Sequence, residues 1–247
     1  AGAELLREAN RLLIEIDAVA NRVKRVATGW EAQFTIAVDT IISRPTVMEL
    51  CDAFYALSPP TQIRLRHESL SGTLEALTSG QADLALGTGP DSSNVSGLQT
   101  RLLGSTRFVF AVAPHHPLAA MPEPLGDELI QRYRAVAVAD SVQRGNGLTF
   151  GIFSGQQVFT VASMWDKLEA HLRGLGVGNL PLGMVQRYLK SGQLVVKQTE
   201  RPNRLVTVHY AWKKANAQNP GRAMQWWLGQ LESVATRAAL LERHGGY

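Results

Sequence analysis

Residues 1–28 place apolar side chains at Leu5, Ala9, Leu12, Ile16, Val19, Val23 and Val26. The steps alternate between four and three, which is a heptad seam. Leu6, Leu13 and Ala20 widen the stripe, and charged residues such as Glu4, Arg11, Glu15 and Lys24 occupy the other faces. A helix that is apolar on one side needs a partner. That partner is its own domain or, the favoured reading, a second subunit. Thr28-Gly29 stops the helix. The pattern then changes period. A strand is predicted at 34–38, a helix at 46–57 ended by Ser58-Pro59-Pro60, and a strand at 63–67. In the last of these Ile63, Leu65 and His67 oppose Arg64 and Arg66, as in an edge strand with one wet face. A helix at 72–79, capped by Ser71 or Ser69 and ended by Gly80, leads to a short apolar strand at 83–87.

Strands alternating with helices imply parallel pairing through crossover helices. Such a sheet binds ligands at the carboxyl ends of its strands. Those ends carry Asp39-Thr40, Ser69-Leu70-Ser71 and Thr88, groups suited to holding a small polar molecule and poorly equipped to break bonds. Beyond a polar loop at 90–97, strands are predicted at 108–113, 135–139, 157–161 and 205–212. Helices are predicted at 164–173, 181–190 and 220–242, and a tight turn in the glycine-rich stretch 143–155. If strands 108–113 and 205–212 both cross between lobes, the intervening residues form an inserted second lobe. The last helix then returns to the first.

Composition narrows the function classes. Of 247 residues 45% are apolar and 19% charged, with a net charge of +4. This excess is too thinly spread for a nucleic-acid arm. The single Cys51 forms no internal disulfide and reads as a small core residue. Neither a membrane span nor a signal peptide is present, so a cytoplasmic protein is expected. Position 1 is Ala within a helical pattern, which suggests a piece of something longer. Gly174-Leu175-Gly176-Val177-Gly178 follows a helix rather than a strand, so it is a turn and not a dinucleotide loop. No phosphate-binding lysine loop or nucleophile elbow occurs, and none of the six histidines has metal-ligand spacing. His115-His116 before Pro117 reads as a turn, and Trp165 is left open between core and cleft. No cofactor, metal or catalytic residue is expected, although a triad converging in space is not excluded by sequence.

The order of these segments resembles a LysR-type transcriptional regulator without its DNA-binding domain. The segments carrying the resemblance are the heptad helix, 34–38 with Asp39-Thr40, Ser69-Leu70-Ser71, and Gly80-Gln81-Ala82-Asp83-Leu84-Ala85-Leu86-Gly87. Pro114-His115-His116-Pro117-Leu118 and 173–181 complete the set. The resemblance implies an α/β fold: a two-lobed, periplasmic-binding-protein-like (type 2) domain with mixed, mostly parallel sheets behind a long linker helix. Its parts would be a dimerisation helix at 1–28, lobe I at 30–108 and 209–247, and lobe II at 109–208. It implies a small-molecule effector held in the interlobe cleft by Thr40, Ser69, Thr88 and the segment 140–143, with Ser141 and Gln143 as contacts. It further implies a homodimer or tetramer, with RNA polymerase as a further partner. DNA would be contacted only through the missing winged helix-turn-helix. Two departures stand out: Ser-Leu-Ser-Gly replaces the commoner Gly-Ser-Ser run, and Asp39 puts a carboxylate beside the cleft, which disfavours a purely acidic effector. The alternatives are a two-lobed solute-binding protein or an enzyme, such as a dehydratase or deaminase, on the same scaffold.

Overall fold

A computed structural model describes residues 2, 4–6, 8–9, 11–13, 16, 19, 28–142, 151–214 and 220–245. Gln143 and the part of the predicted turn within 143–150 lie outside the described residues. The described residues of the N-terminal segment are helical, and their apolar side chains face solvent: Leu5, Leu6, Leu12, Leu13, Ile16 and Val19 are all at least half exposed.

The main sheet is mixed and orders its strands β2-β1-β3-β9-β4-β7, with β8 added on β4. β1 (Gln33–Asp39) pairs in parallel with β2 (Gln62–Glu68) and with β3 (Leu84–Thr88). The crossovers are α1 (Arg44–Tyr55) and α2 (Gly72–Thr78). β2 is an edge strand as predicted, with Ile63 and Leu65 half-buried, although His67 is exposed. β4 (Leu98–Val112) is far longer than the predicted strand. Its first ten residues pair antiparallel with β9 (Leu205–Lys213). Its last five turn to β7 (Asn179–Pro181) and β8 (Val195–Val196). The alternation of its outer half, with exposed Leu102, is masked in the sequence by polar residues.

β5 (Ala135–Val138) and β6 (Val158–Val161) form a separate parallel pair. They pack with α4 (Met164–Leu172), β7 and α5 (Leu182–Lys190), behind the short α3 (Asp127–Gln131). The core divides accordingly. One cluster gathers Phe34, Ile36, Phe54, Leu86, Tyr210 and Trp227. Another gathers Val109, Ala111, Leu168, Leu180 and Val185. We refer to the bodies around them as the first and second lobes.

The predicted final helix is two, α6 (Arg222–Glu232) and α7 (Val234–Glu242). Ser233 adopts an extended conformation and its hydroxyl accepts from Thr236 N–H, so a serine in mid-pattern acts as an N-cap. α6 starts on a carboxylate. Glu31 accepts from the N–H groups of Ala223 (3.0 Å) and Met224 (3.3 Å), where the helix dipole is positive. The end of α7 touches both lobes. Ser43 N–H donates to Leu240 O at 2.8 Å and Thr46 Oγ1 to Ala239 O at 3.1 Å, on the α1 side. On the other side Gly183 of α5 lies under the Leu241 carbonyl, and His244 packs on Trp165 at 5.9 Å. Trp165, beneath Arg44 at 5.1 Å, therefore sits between the lobes.

Candidate functional site

The carboxyl ends of β1, β2 and β5 meet at the seam between the lobes. Three predicted residues come together there. Thr40 Oγ1 and Ser69 Oγ are 3.2 Å apart. Ser69 Oγ donates to Ala162 O of the second lobe at 3.1 Å, so the proton between the two hydroxyls belongs to Thr40. Met164 N–H, in the first turn of α4, donates to Thr40 Oγ1 at 3.3 Å. Ser141 reaches across from the second lobe. Its hydroxyl accepts from Ser69 N–H at 2.9 Å and donates to Glu68 Oε2 at 2.7 Å. The sequence offered Ser69 or Ser71 as the cap of α2, and neither hydroxyl plays that part. Ser71 is the N-cap residue but makes no side-chain cap bond; its hydroxyl binds Asp140 and its N–H donates to Asp140 Oδ1 at 3.1 Å. Partners across the seam have taken both serines.

Two backbone features permit this contact. Leu70 lies in the left-handed region at φ 57°, unusual for a branched side chain, so the Ser69–Ser71 turn is held in strain. Gly72, the first residue of α2, stands where a Cβ would lie 2.0 Å from Ser141 Oγ and 3.1 Å from Glu68 Oε2. Only glycine leaves room for the second lobe.

Asp39 is fully buried beside the seam. Its carboxylate accepts from Ile41 N–H (2.9 Å), Leu70 N–H (3.0 Å) and Thr73 Oγ1 (3.4 Å). Burial outweighs these bonds and, with nearby Asp140, pushes it up to about 7. Asp39 thus fastens the strained turn. Thr88 is not joined to this network. Its hydroxyl donates to Ser92 Oγ at 3.1 Å, and the β9 carbonyl of His209 lies at 3.4 Å. Asp140 lies in the predicted segment 140–143, whereas Glu68 and Gly72 were not singled out as site residues by sequence reasoning. Each is adjacent to a named serine, and proximity in sequence was the available signal.

Among the described residues no group of His, Cys, Asp and Glu could hold a metal ion, and no helix is long and apolar enough to cross a membrane. Every hydroxyl described at the seam is already engaged, those of Ser141 and Ser71 with the Glu68 and Asp140 carboxylates. The arrangement is equipped to hold two bodies together, or a polar molecule in place of one of them.

Residues 27–236 match the family described as the LysR substrate binding domain. The chain is 34% identical over 230 residues to YeeY, an uncharacterised HTH-type transcriptional regulator of Escherichia coli K12, covering 93% of this chain and 74% of that protein. Solved structures share the fold, among them the two that follow. Full-length LysG of Corynebacterium glutamicum, with bound effector Arg, aligns with a TM-score of 0.62 at 20% identity, over 96% of this chain and 78% of that one. The regulatory domain of MetR, a LysR family regulator of Neisseria meningitidis, aligns with a TM-score of 0.60 at 15% identity, over 83% of this chain and 93% of that one.

Proposed function

This chain belongs to the family of LysR substrate-binding domains, whose members are transcriptional regulators and not enzymes, and we propose that it senses a small polar metabolite at the seam joining Thr40, Ser69 and Ser141. The observation that carries the reading is the crossing network itself. Hydroxyl, amide and carbonyl groups from both lobes meet in mutual hydrogen bonds, so a ligand that substitutes for these bonds changes how the lobes meet. Interdomain clefts favour such sites. Gln143, in the segment that follows Ser141, is proposed to complete the contacts, and Thr88 to support β3 from behind.

The lobes are proposed at 30–108 with 209–247 and at 109–208, a division that the core clusters support except at Val206 and Val208, which pack with the first lobe. Helix 1–28 is proposed to pair with a second copy, because the leucines described on it are left exposed by the rest of the chain. Effector-dependent shifts in lobe arrangement would pass along that helix to a DNA-binding domain outside these residues, in the cytoplasm, with RNA polymerase as a downstream partner. LysG carries a bound arginine, which supports a small-metabolite effector as the class of ligand.

The test is a thermal-shift screen of a metabolite library against wild type, Thr40→Val and Ser69→Ala. A metabolite that raises the melting temperature saturably, is recovered unchanged, and loses affinity in both variants is the expected result. Consumption of the ligand, or tight sequence-specific binding of duplex DNA by this chain alone, would overturn the assignment.

A further inference from the structure

The second lobe contains a buried cluster made only of bases. Lys167 and His171 lie one turn apart on the inner face of α4, so their side chains share a face. Lys167 is only 7% exposed, and among the described residues its ammonium has neither a hydrogen bond nor an ion pair. His171 is completely buried. Its Nδ1 lies 2.8 Å from Ala111 O, while Nε2 has no partner among the described residues. His116, also buried, is the next charge-bearing neighbour. The groups acting electrostatically on these three residues are themselves histidines and lysine, and no carboxylate appears among them.

The backbone around the ammonium is opened by glycine. A Cβ on Gly178, at φ 151°, would stand 3.2 Å from Lys167 Nζ and 3.6 Å from Val136 O. α4 itself begins at the seam, where Ser163 caps it and Met164 N–H meets Thr40. Lys167 follows the cap by four residues, about 6 Å along the helix axis.

An unpaired ammonium in such a place is expensive. Burying a cation without a counter-charge is unfavourable, whereas a buried cation with an anionic partner recovers most of the loss. Burial alone lowers Lys167 to about 8, and it holds His171 neutral, so the ammonium is the single positive charge of the cluster near neutral pH. A purely structural lysine would be expected to find a carboxylate or a set of carbonyls, as Lys197 does with Ala119 O, Met121 O and Glu123. The contrast between these two buried lysines within one lobe is the informative point.

We propose that Lys167, with His171 behind it and Gly178 making room, is the receiving group for a small anion, either the carboxylate of an organic effector or a free inorganic anion. The inference rests on the sensing role proposed above and specifies its ligand chemistry. It also divides the labour of the site. Asp39 of the first lobe and Asp140 of the second place carboxyl groups at the seam itself, and the anionic group is received at Lys167 instead.

The experiment compares wild type, Lys167→Met and, as a control for loss of a solvent-exposed lysine, Lys190→Met by thermal shift at pH 7 and matched ionic strength. Acetate, succinate and glutamate are titrated in one arm, chloride and phosphate in the other. At least one anion is expected to raise the wild-type melting temperature saturably. In Lys167→Met the half-saturating concentration should rise at least tenfold, while Lys190→Met should respond as wild type. Without anion, Lys167→Met should melt no lower than wild type, because the unpaired charge is gone. A response confined to carboxylates identifies an organic effector as the source; one confined to chloride or phosphate identifies an inorganic ion. The proposal fails if no anion shifts the wild type, if Lys167→Met responds like wild type, or if Lys167→Met melts well below it or does not fold. A metabolite that depends on Thr40 and Ser69 but is indifferent to Lys167→Met would sink this inference and leave the sensing role standing.

Discussion

Gly72→Ala puts a single methyl group into the seam. At its ideal position the new Cβ lies 2.0 Å from Ser141 Oγ, about 1.4 Å inside an ordinary contact. Ser141 has to withdraw by that amount. Its bonds of 2.9 Å from Ser69 N–H and 2.7 Å to Glu68 Oε2 then stretch beyond hydrogen-bonding range. At roughly 0.5–1.5 kcal/mol for a neutral bond and more for one to a carboxylate, the lost pair costs about 2–4 kcal/mol. A gain of up to about 1 kcal/mol from replacing glycine in a helix offsets part of it. The net, about 1–3 kcal/mol, falls on the junction and not on either core, because Gly72 fills no core position. Native-state hydrogen exchange is the suitable assay. The amides of Ser69, Ser141 and Met164, all donors across the seam, should exchange roughly 5- to 150-fold faster, following RT of about 0.59 kcal/mol. Amides of β1 and β9 should keep their wild-type rates. Unchanged exchange at the three seam amides would refute the argument that glycine is there to admit Ser141.

Further outcomes follow from other parts of the fold. Asp39, raised from 3.8 to about 7, keeps its proton in the folded state over a range where the unfolded chain has lost it. Its contribution should therefore decline as pH rises from about 4 to 7 and level off above, by on the order of 4 kcal/mol at most; urea melts of wild type against Asp39→Asn across that range check this, and a flat difference refutes it. Glu31→Ala removes the carboxylate from the start of α6 and should cost about 1–2 kcal/mol in urea denaturation. Gly221→Ala should be at least as harmful, since its Cβ would meet three Glu31 atoms at 2.3–2.4 Å. If helix 1–28 pairs with a second copy as proposed, Leu12→Asp with Ile16→Asp should leave a monomer by light scattering where wild type is larger, with the melting transition of the lobes unchanged.

The alternating strands and helices of the first lobe were legible because each segment carries its own period. Helix ends at Ser58-Pro59-Pro60, Gly80 and Ser191-Gly192 follow from local stereochemistry and lie within a few residues of where the structure puts them. What the pattern hid depends on tertiary context. The outer half of β4 is polar because one face is solvated, and Ser233 breaks a continuous amphipathic pattern by capping. At the site, Thr40 and Ser69 were recoverable as small hydroxyls at strand ends. Their function as bonds across the seam was not, because Ala162, Met164 and Ser141 are distant in sequence. Lys167 was invisible for the same reason. In sequence it is one lysine on an amphipathic helix, and only burial without a partner makes it unusual.

The packing of α7 and His244 changes the mechanics of the whole molecule. Two neighbouring strands, β4 and β9, give a pair of lobes a common axis on which to swing. A third fastening away from that axis removes the freedom, just as a bolt at the free edge stops a door that hinges alone would let turn. Here the bolt is the chain from Ala239 to His244, tied to Ser43 and Thr46 on one side and lying against Gly183 and Trp165 on the other. Its geometry favours small sliding adjustments at the seam over wide opening, so the two lobes resist swinging apart and can shift only by repacking where they rest on each other.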